Sequence, residues 1–171
     1  SLVVTDAIGR QVNLPNPPLR ILLAGKAVLS TTNTAFLFPE ARNVIIGTGA
    51  TDQGMGDMYP LLDPTSDTKM RFANNVGPEQ LISARPDVVV LKSYLREGLG
   101  SSLEKIGLPV LYVDLETPES FYRDVTMFGT LMGNSQRADE IIGYYQERSE
   151  LVGSRVEGRV RPRVLLVSYT E

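Results

Sequence analysis

The chain of 171 residues contains no cysteine and no histidine. The first absence excludes disulfides, thiolate metal sites and cysteine nucleophiles. The second removes the usual general base, every Ser-His-Asp arrangement and imidazole-based metal sites. Chemistry built on lysine, tyrosine or carboxylates survives, yet the balance shifts away from an enzyme. No apolar run approaches the ~18 residues of a membrane span. Long basic runs are also missing and the net charge is −3, unlike the electrostatic footprint of a nucleic-acid binder. The opening Ser1-Leu2-Val3-Val4-Thr5 is strand-like and lacks the charged and apolar regions of a signal peptide. Any export signal is therefore expected to have been removed or never to have existed.

What is present suits one good-sized domain, or one domain with a piece of another. Val3-Val4-Thr5-Asp6 and Gln11-Val12-Asn13-Leu14 flank a turn containing Gly9, which predicts a small hairpin. Pro15, Pro17 and Pro18 stiffen the approach to an apolar strand, Arg20 to Ala24. A helix is expected from Lys26 to Phe38, ended by Pro39. Val44-Ile45-Ile46, Val88 to Leu91 and Val110 to Val113 read as further strands, and Ser101 to Ile106 as the helix between the last two. Strands apolar on both faces need cover on both faces, which is the mark of a parallel sheet between helices.

The stretch "GPEQLISARPDVVVL", Gly77 to Leu91, compresses this pattern: a helix over Glu79 to Ser83, a stop at Pro86, then a buried strand. Arg85 precedes proline and is expected outside the α region. Between Gly47 and Pro78 lie thirty residues with little periodicity. Structureless connections longer than ~12–15 residues tend to be functional, and this one leaves the carboxyl end of a strand, where open α/β sheets bind ligands. It reads as a binding loop. Gly47-Thr48-Gly49-Ala50-Thr51-Asp52 lacks the third glycine and the helix of a dinucleotide fingerprint. Asp52, Asp57, Asp63 and Asp67 fit no calcium-loop spacing, and a solvated loop is expected.

In the last third, Thr117 caps a helix with Pro118 at its first position, running to about Met132. After Gly133-Asn134-Ser135 a longer helix follows, with Ala138, Ile141, Ile142, Tyr145 and Val152 spaced for one buried face. Val164 to Val167 is one more apolar run. It either joins the sheet or begins a second lobe.

In order and spacing, "VTDAIGRQVNLPNPPLRILLAG", "GPEQLISARPDVVVL", "LEKIGLPVLYVD" and the helix pair from Pro118 to Glu157 resemble the amino-terminal lobe of solute-binding proteins. The group is the one serving importers of iron-siderophores, haem and cobalamin. The resemblance implies a three-layer α/β/α lobe with a mostly parallel sheet, an N-terminal hairpin and a long C-terminal connecting helix. It divides the chain into a substrate-binding lobe (1–133), an inter-lobe helix (134–157) and the first strand of a second lobe (158–171), so that half of a two-lobed cleft is absent. It further implies a monomeric, extracytoplasmic receptor, with a lipid anchor left open, whose partners are an ABC importer permease and a metal chelate, and with no cofactor of its own.

Residue by residue, Glu79 in the first turn of its helix matches the carboxylate that docks on permease arginines, though the helix dipole alone favours an acid there by ~0.3–1 kcal/mol. Phe72, Ala73, Asn74 and Asn75 are expected to line the cleft, where amides and an aromatic suit a chelate; asparagines making their own turns are the plainer alternative. Lys26 and Ala27 follow the first sheet strand, and Lys92, Ser93 and Tyr94 the third, all facing one crevice. Lys92 or Arg71 could attract an anionic ferric chelate. Tyr59 or Tyr94 could stack on it or ligate iron. The competing readings are a metal-chelatase-like enzyme on the same scaffold and a sensor domain that has lost transport.

Overall fold

The computed structural model describes residues 1–51 and 56–167. Asp52 and Gly54, which belong to the expected loop, and the chain beyond Val167 lie outside them. Strands β1 (Leu2–Thr5) and β2 (Gln11–Leu14) pair antiparallel with Leu2 opposite Leu14. Asp6 makes the turn: its Oδ1 accepts the N–H groups of Ile8 and Arg10, and its Oδ2 takes the Arg10 guanidinium through two hydrogen bonds, at 2.7 and 3.0 Å. Arg10 continues to Glu104 and to the Val110 carbonyl, while Ala7 N–H bonds the Tyr112 carbonyl. The hairpin thus covers a sheet edge that would otherwise expose unpaired backbone groups.

The main sheet has five strands in the order β5-β4-β3-β6-β7, every pair parallel. They are β3 (Ile21–Leu23), β4 (Ile45–Gly49), β5 (Met70–Phe72), β6 (Val88–Lys92) and β7 (Val110–Val113). The helices are α1 (Val28–Ala35), α2 (Ala41–Val44), α3 (Tyr59–Leu62), α4 (Pro78–Ser83), α5 (Ser101–Lys105), α6 (Pro118–Met132) and α7 (Ser135–Val156). Successive strand residues face opposite layers. Ile21, Leu23, Val88, Val90, Leu111 and Val113 join Val28, Phe128 and Ile141 from α1, α6 and α7. Leu22, Val89, Leu91, Val110 and Tyr112 join Leu81 and Leu103 from α4 and α5. This is the expected three-layer architecture. No helix among the described residues is long and apolar enough to cross a membrane.

Two sequence motifs prove to be one structural joint. Arg20 donates to the carbonyls of Arg85 and Ala84, at 2.9 and 2.8 Å, filling acceptors left open at the end of α4. Asp87 returns the contact, accepting the N–H groups of Leu19 and Arg20 at 2.8 and 2.9 Å. Arg85 itself adopts φ +50°, in the left-handed region, rather than the extended geometry that a position before proline favours.

Four expectations need correction. The region from Gly47 to Pro78 is not structureless: it holds α3, a 3₁₀ turn over Ser66–Thr68 and the edge strand β5. The first helix begins at Val28 rather than Lys26, because Ala27 stands at φ +54°, and it ends at Ala35. Val44 closes a helical turn instead of opening β4. The apolar stripe of α7 is buried only at Ala138 and Ile141 and half-buried at Ile142; Tyr145 and Val152 are exposed. The helix is seated at its start, where Asn134 caps it and bonds Glu40 at 2.6 Å and Arg137 bonds the Leu37 carbonyl at 3.0 Å. Farther on it leaves the body. Val164 to Val167 forms no strand and does not join the sheet, Leu166 being 92% exposed.

Candidate binding rim

Because all five strands run the same way, their carboxyl ends share one edge. The strand order reverses between β3 and β6, the switch point at which open α/β sheets leave a crevice. Lys26 and Ala27 follow β3 and are exposed; Ser93 and Tyr94 follow β6, half-buried and exposed. The Tyr94 hydroxyl donates to the Lys26 carbonyl at 3.2 Å, tying the two sides of the switch together. Lys26 forms no ion pair among the described residues.

On one flank of the switch, β5 delivers Arg71, half-buried Phe72 and exposed Ala73, Asn74 and Asn75 to the same edge. Arg71 bonds Asp57 at 2.8 Å and Thr51 at 2.9 Å, and its guanidinium lies 4.7 Å from the ring centre of Tyr59. Tyr59 does not reach the rim: it is 1% exposed and serves as the floor under Arg71. Burial first, then the charge of Asp63, push its phenol well above the ordinary value. Residue spacing carries no sign of this, because it does not separate a buried tyrosine from a surface one.

Beneath this flank, Asp63 is buried with Lys69 Nζ 2.6 Å from Oδ2, and Thr65 donates its N–H and hydroxyl to Oδ1 at 3.0 and 2.7 Å. Burial alone would raise the carboxyl pKa, but Lys69 and Thr65 hold it below its ordinary value of 3.8. Asp57 is lowered in the same way by Thr51, the Tyr59 N–H and Arg71 acting against burial. A depressed folded-state pKa contributes stability in full above the unfolded value, and the contribution disappears as pH falls through the folded one. Urea midpoints are therefore expected to fall with pH below about 4, and D63N is expected to flatten that acid-side slope.

On the other flank, Lys92 closes β6 and is 3% exposed. Its ammonium is engaged by the Asp114 carbonyl and the Glu116 carboxylate. Ser93 donates to Asp114, and Arg123 bonds Asp114 at 2.8 Å and Asp124 at 2.9 Å. A pocket of about 340 Å³ opens here, lined by Lys92, Ser93, Tyr94, Asp114, Glu116 and Ser120 among others. The Asp114–Glu116 contribution lies outside the residues expected from the sequence; its signal is the run Val113-Asp114-Leu115-Glu116, which begins at the end of an apolar strand. A second cavity, about 400 Å³, lies between the hairpin and the Gly107–Val110 turn at the opposite ends of the strands. Glu79 sits in the first turn of α4, exposed and without an ion pair among the described residues. No cluster of acidic residues able to hold a metal ion occurs among the described residues.

A parallel sheet with an open carboxyl rim at its switch point, sealed by helices on both faces, defines one lobe of an α/β binding protein. The chain belongs to the periplasmic binding protein family, whose model matches residues 30–170. No curated protein sequence matches it. Among solved structures it is similar to a periplasmic solute binding protein from Veillonella parvula, at 19% identity and TM-score 0.79, over 93% of this chain and 49% of that one. It is also similar to the molybdate-bound periplasmic protein MolA of Haemophilus influenzae, at 16% identity and TM-score 0.78, over 92% and 54%. A third is the triscatecholate siderophore binding protein FeuA of Bacillus subtilis complexed with ferri-bacillibactin, at 14% identity and TM-score 0.71, over 93% and 53%. The chain spans about half the length of these structures.

Proposed function

We propose that the protein is the receptor lobe of an extracytoplasmic solute-binding protein for an ABC importer, and that it holds a ferric siderophore, haem or cobalamin in a cleft. The observation that carries this reading is the convergence of Lys26, Ala27, Phe72 to Asn75 and Tyr94 on one carboxyl rim at the switch point. Exposed amides, an aromatic edge and a lysine without an ion pair among the described residues match a ligand with carbonyl, apolar and anionic parts. Arg71, Lys92 and Ser93 supply charge and hydroxyl behind that rim, and Tyr59 positions Arg71. Residues 134–157 form the connecting helix and 158–171 begin the second lobe, which agrees with the half-length match to the solved structures. Glu79 docks on the permease.

Thermal melts of the complete gene product against ferric siderophores, haem, cobalamins and molybdate test this. Stabilisation by one class is expected, reaching about 2.7 kcal/mol at a hundredfold excess over Kd. No stabilisation by any of them, with turnover of a tetrapyrrole instead, would move the protein to the chelatase-like reading.

A further inference from the structure

We infer that Lys92 receives an anionic group of the ligand by exchanging it for Glu116, so that the cleft selects anionic over neutral solutes. This rests on the receptor reading above and deepens it to a ligand class. The two members of the Lys92–Glu116 ion pair differ sharply in surroundings: the Lys92 side chain is 3% exposed and that of Glu116 is 73% exposed. A buried ammonium needs a counter-charge, and losing it is strongly destabilising. A carboxylate in water gains little from the pair and recovers its hydration on leaving. Exchange is therefore easy when the newcomer is an anion and unfavourable when it is neutral.

The backbone is built to present Glu116 in this way. Asp124 Oδ2 accepts the N–H groups of Asp114 and Leu115 at 2.7 and 2.9 Å, holding Leu115 in the left-handed region at φ +61°. Such a conformation is strained for a residue with a side chain and persists only where its surroundings enforce it. Ser120 Oγ then accepts the N–H groups of Glu116 and Thr117 at 3.0 and 2.8 Å. The main chain around Glu116 is pinned at both ends, and its side chain is the exposed part. Charge balance agrees. Lys92 and Arg123 face Asp114, Asp124 and Glu116, a net charge of −1. With Glu116 turned out, the other four cancel, and one carboxylate, catecholate or oxyanion takes its place in the pocket of about 340 Å³.

The test uses the complete gene product labelled at glutamate and lysine, with molybdate and a ferric tricatecholate as anionic probes and cyanocobalamin as the net-neutral control. On saturation with an anionic probe, the Glu116 carboxyl signal is expected to move to the value of a free surface carboxylate. E116Q is expected to bind the anionic probes about tenfold tighter, K92Q at least about tenfold weaker, with the control unchanged. E116Q alters an exposed side chain and keeps the lysine, so it decides the matter even where K92Q does not fold. A Glu116 signal unmoved at saturation, or unchanged affinity in E116Q, overturns the exchange while leaving the receptor reading intact. Should no chelate bind, the receptor reading fails by itself. The exchange then stands or falls on whether millimolar molybdate moves the Glu116 signal.

Discussion

Phe128→Ala is expected to lower stability by about 3–5 kcal/mol, the usual cost of emptying a large aromatic site in a packed core. Phe128 is fully buried on α6, in the same cluster as Ile21, Leu23, Val88, Val90 and Leu111 from three adjacent strands. Its ring centre lies 6.5 Å from that of Phe38, beyond the end of α1. One truncation therefore opens a void where a helix, the sheet and the turn after α1 meet. Domains rarely hold more than about 5–15 kcal/mol in total, so this variant sits close to unfolding. Urea titration is the check: the midpoint falls with the slope unchanged if the loss is confined to the native core. A change below about 1 kcal/mol, the range of a well-tolerated swap, would mean that α6 is not seated on the sheet.

The second large effect falls on Asp124. Its carboxylate is buried and serves two backbone N–H groups and Arg123. Asp124→Ala orphans those two donors and leaves Arg123 with Asp114 alone, an expected loss of about 3 kcal/mol. The local signature distinguishes this from general loosening. Leu115 is no longer held left-handed, so the amides of Asp114 and Leu115 should exchange with solvent much faster, while those of β3 keep their protection. Unaltered exchange at both amides would show that the turn is held by something else.

Several parts of this architecture are legible in the chain itself. Val88 to Leu91 could only be a central strand, since four consecutive apolar residues need cover on both faces. Asp6 and Arg10 with the glycine between them announce the hairpin, although the grip of Arg10 on Glu104 and Val110 requires the fold. Strand β5 escaped notice because Met70-Arg71-Phe72 is three residues long and pairs on one side only, so it carries no apolar run. Tyr145 and Val152 lie on the apolar stripe of α7 yet are exposed, because helical spacing shows that a stripe exists and not that anything covers it.

At the rim the same boundary appears. The strand-end residues Lys26, Ala27, Ser93 and Tyr94 followed from the parallel arrangement alone, because every strand presents its carboxyl end to one edge. Lys92 stood out as a cation there. Its partner did not, since Glu116 lies 24 residues on and reaches Lys92 only through the left-handed turn at Leu115. An aromatic in a long connection suggests stacking on a ligand, whereas a short helix buries Tyr59 beneath Arg71.

Hydrogen exchange on the complete gene product, with and without whichever chelate stabilises it, reads out where the ligand sits. New protection is expected at residues 24–27, 72–75, 92–94 and 114–116, all on the carboxyl rim of the sheet. Protection gathered instead around the hairpin and residues 107–110, at the other end of the strands, would contradict it.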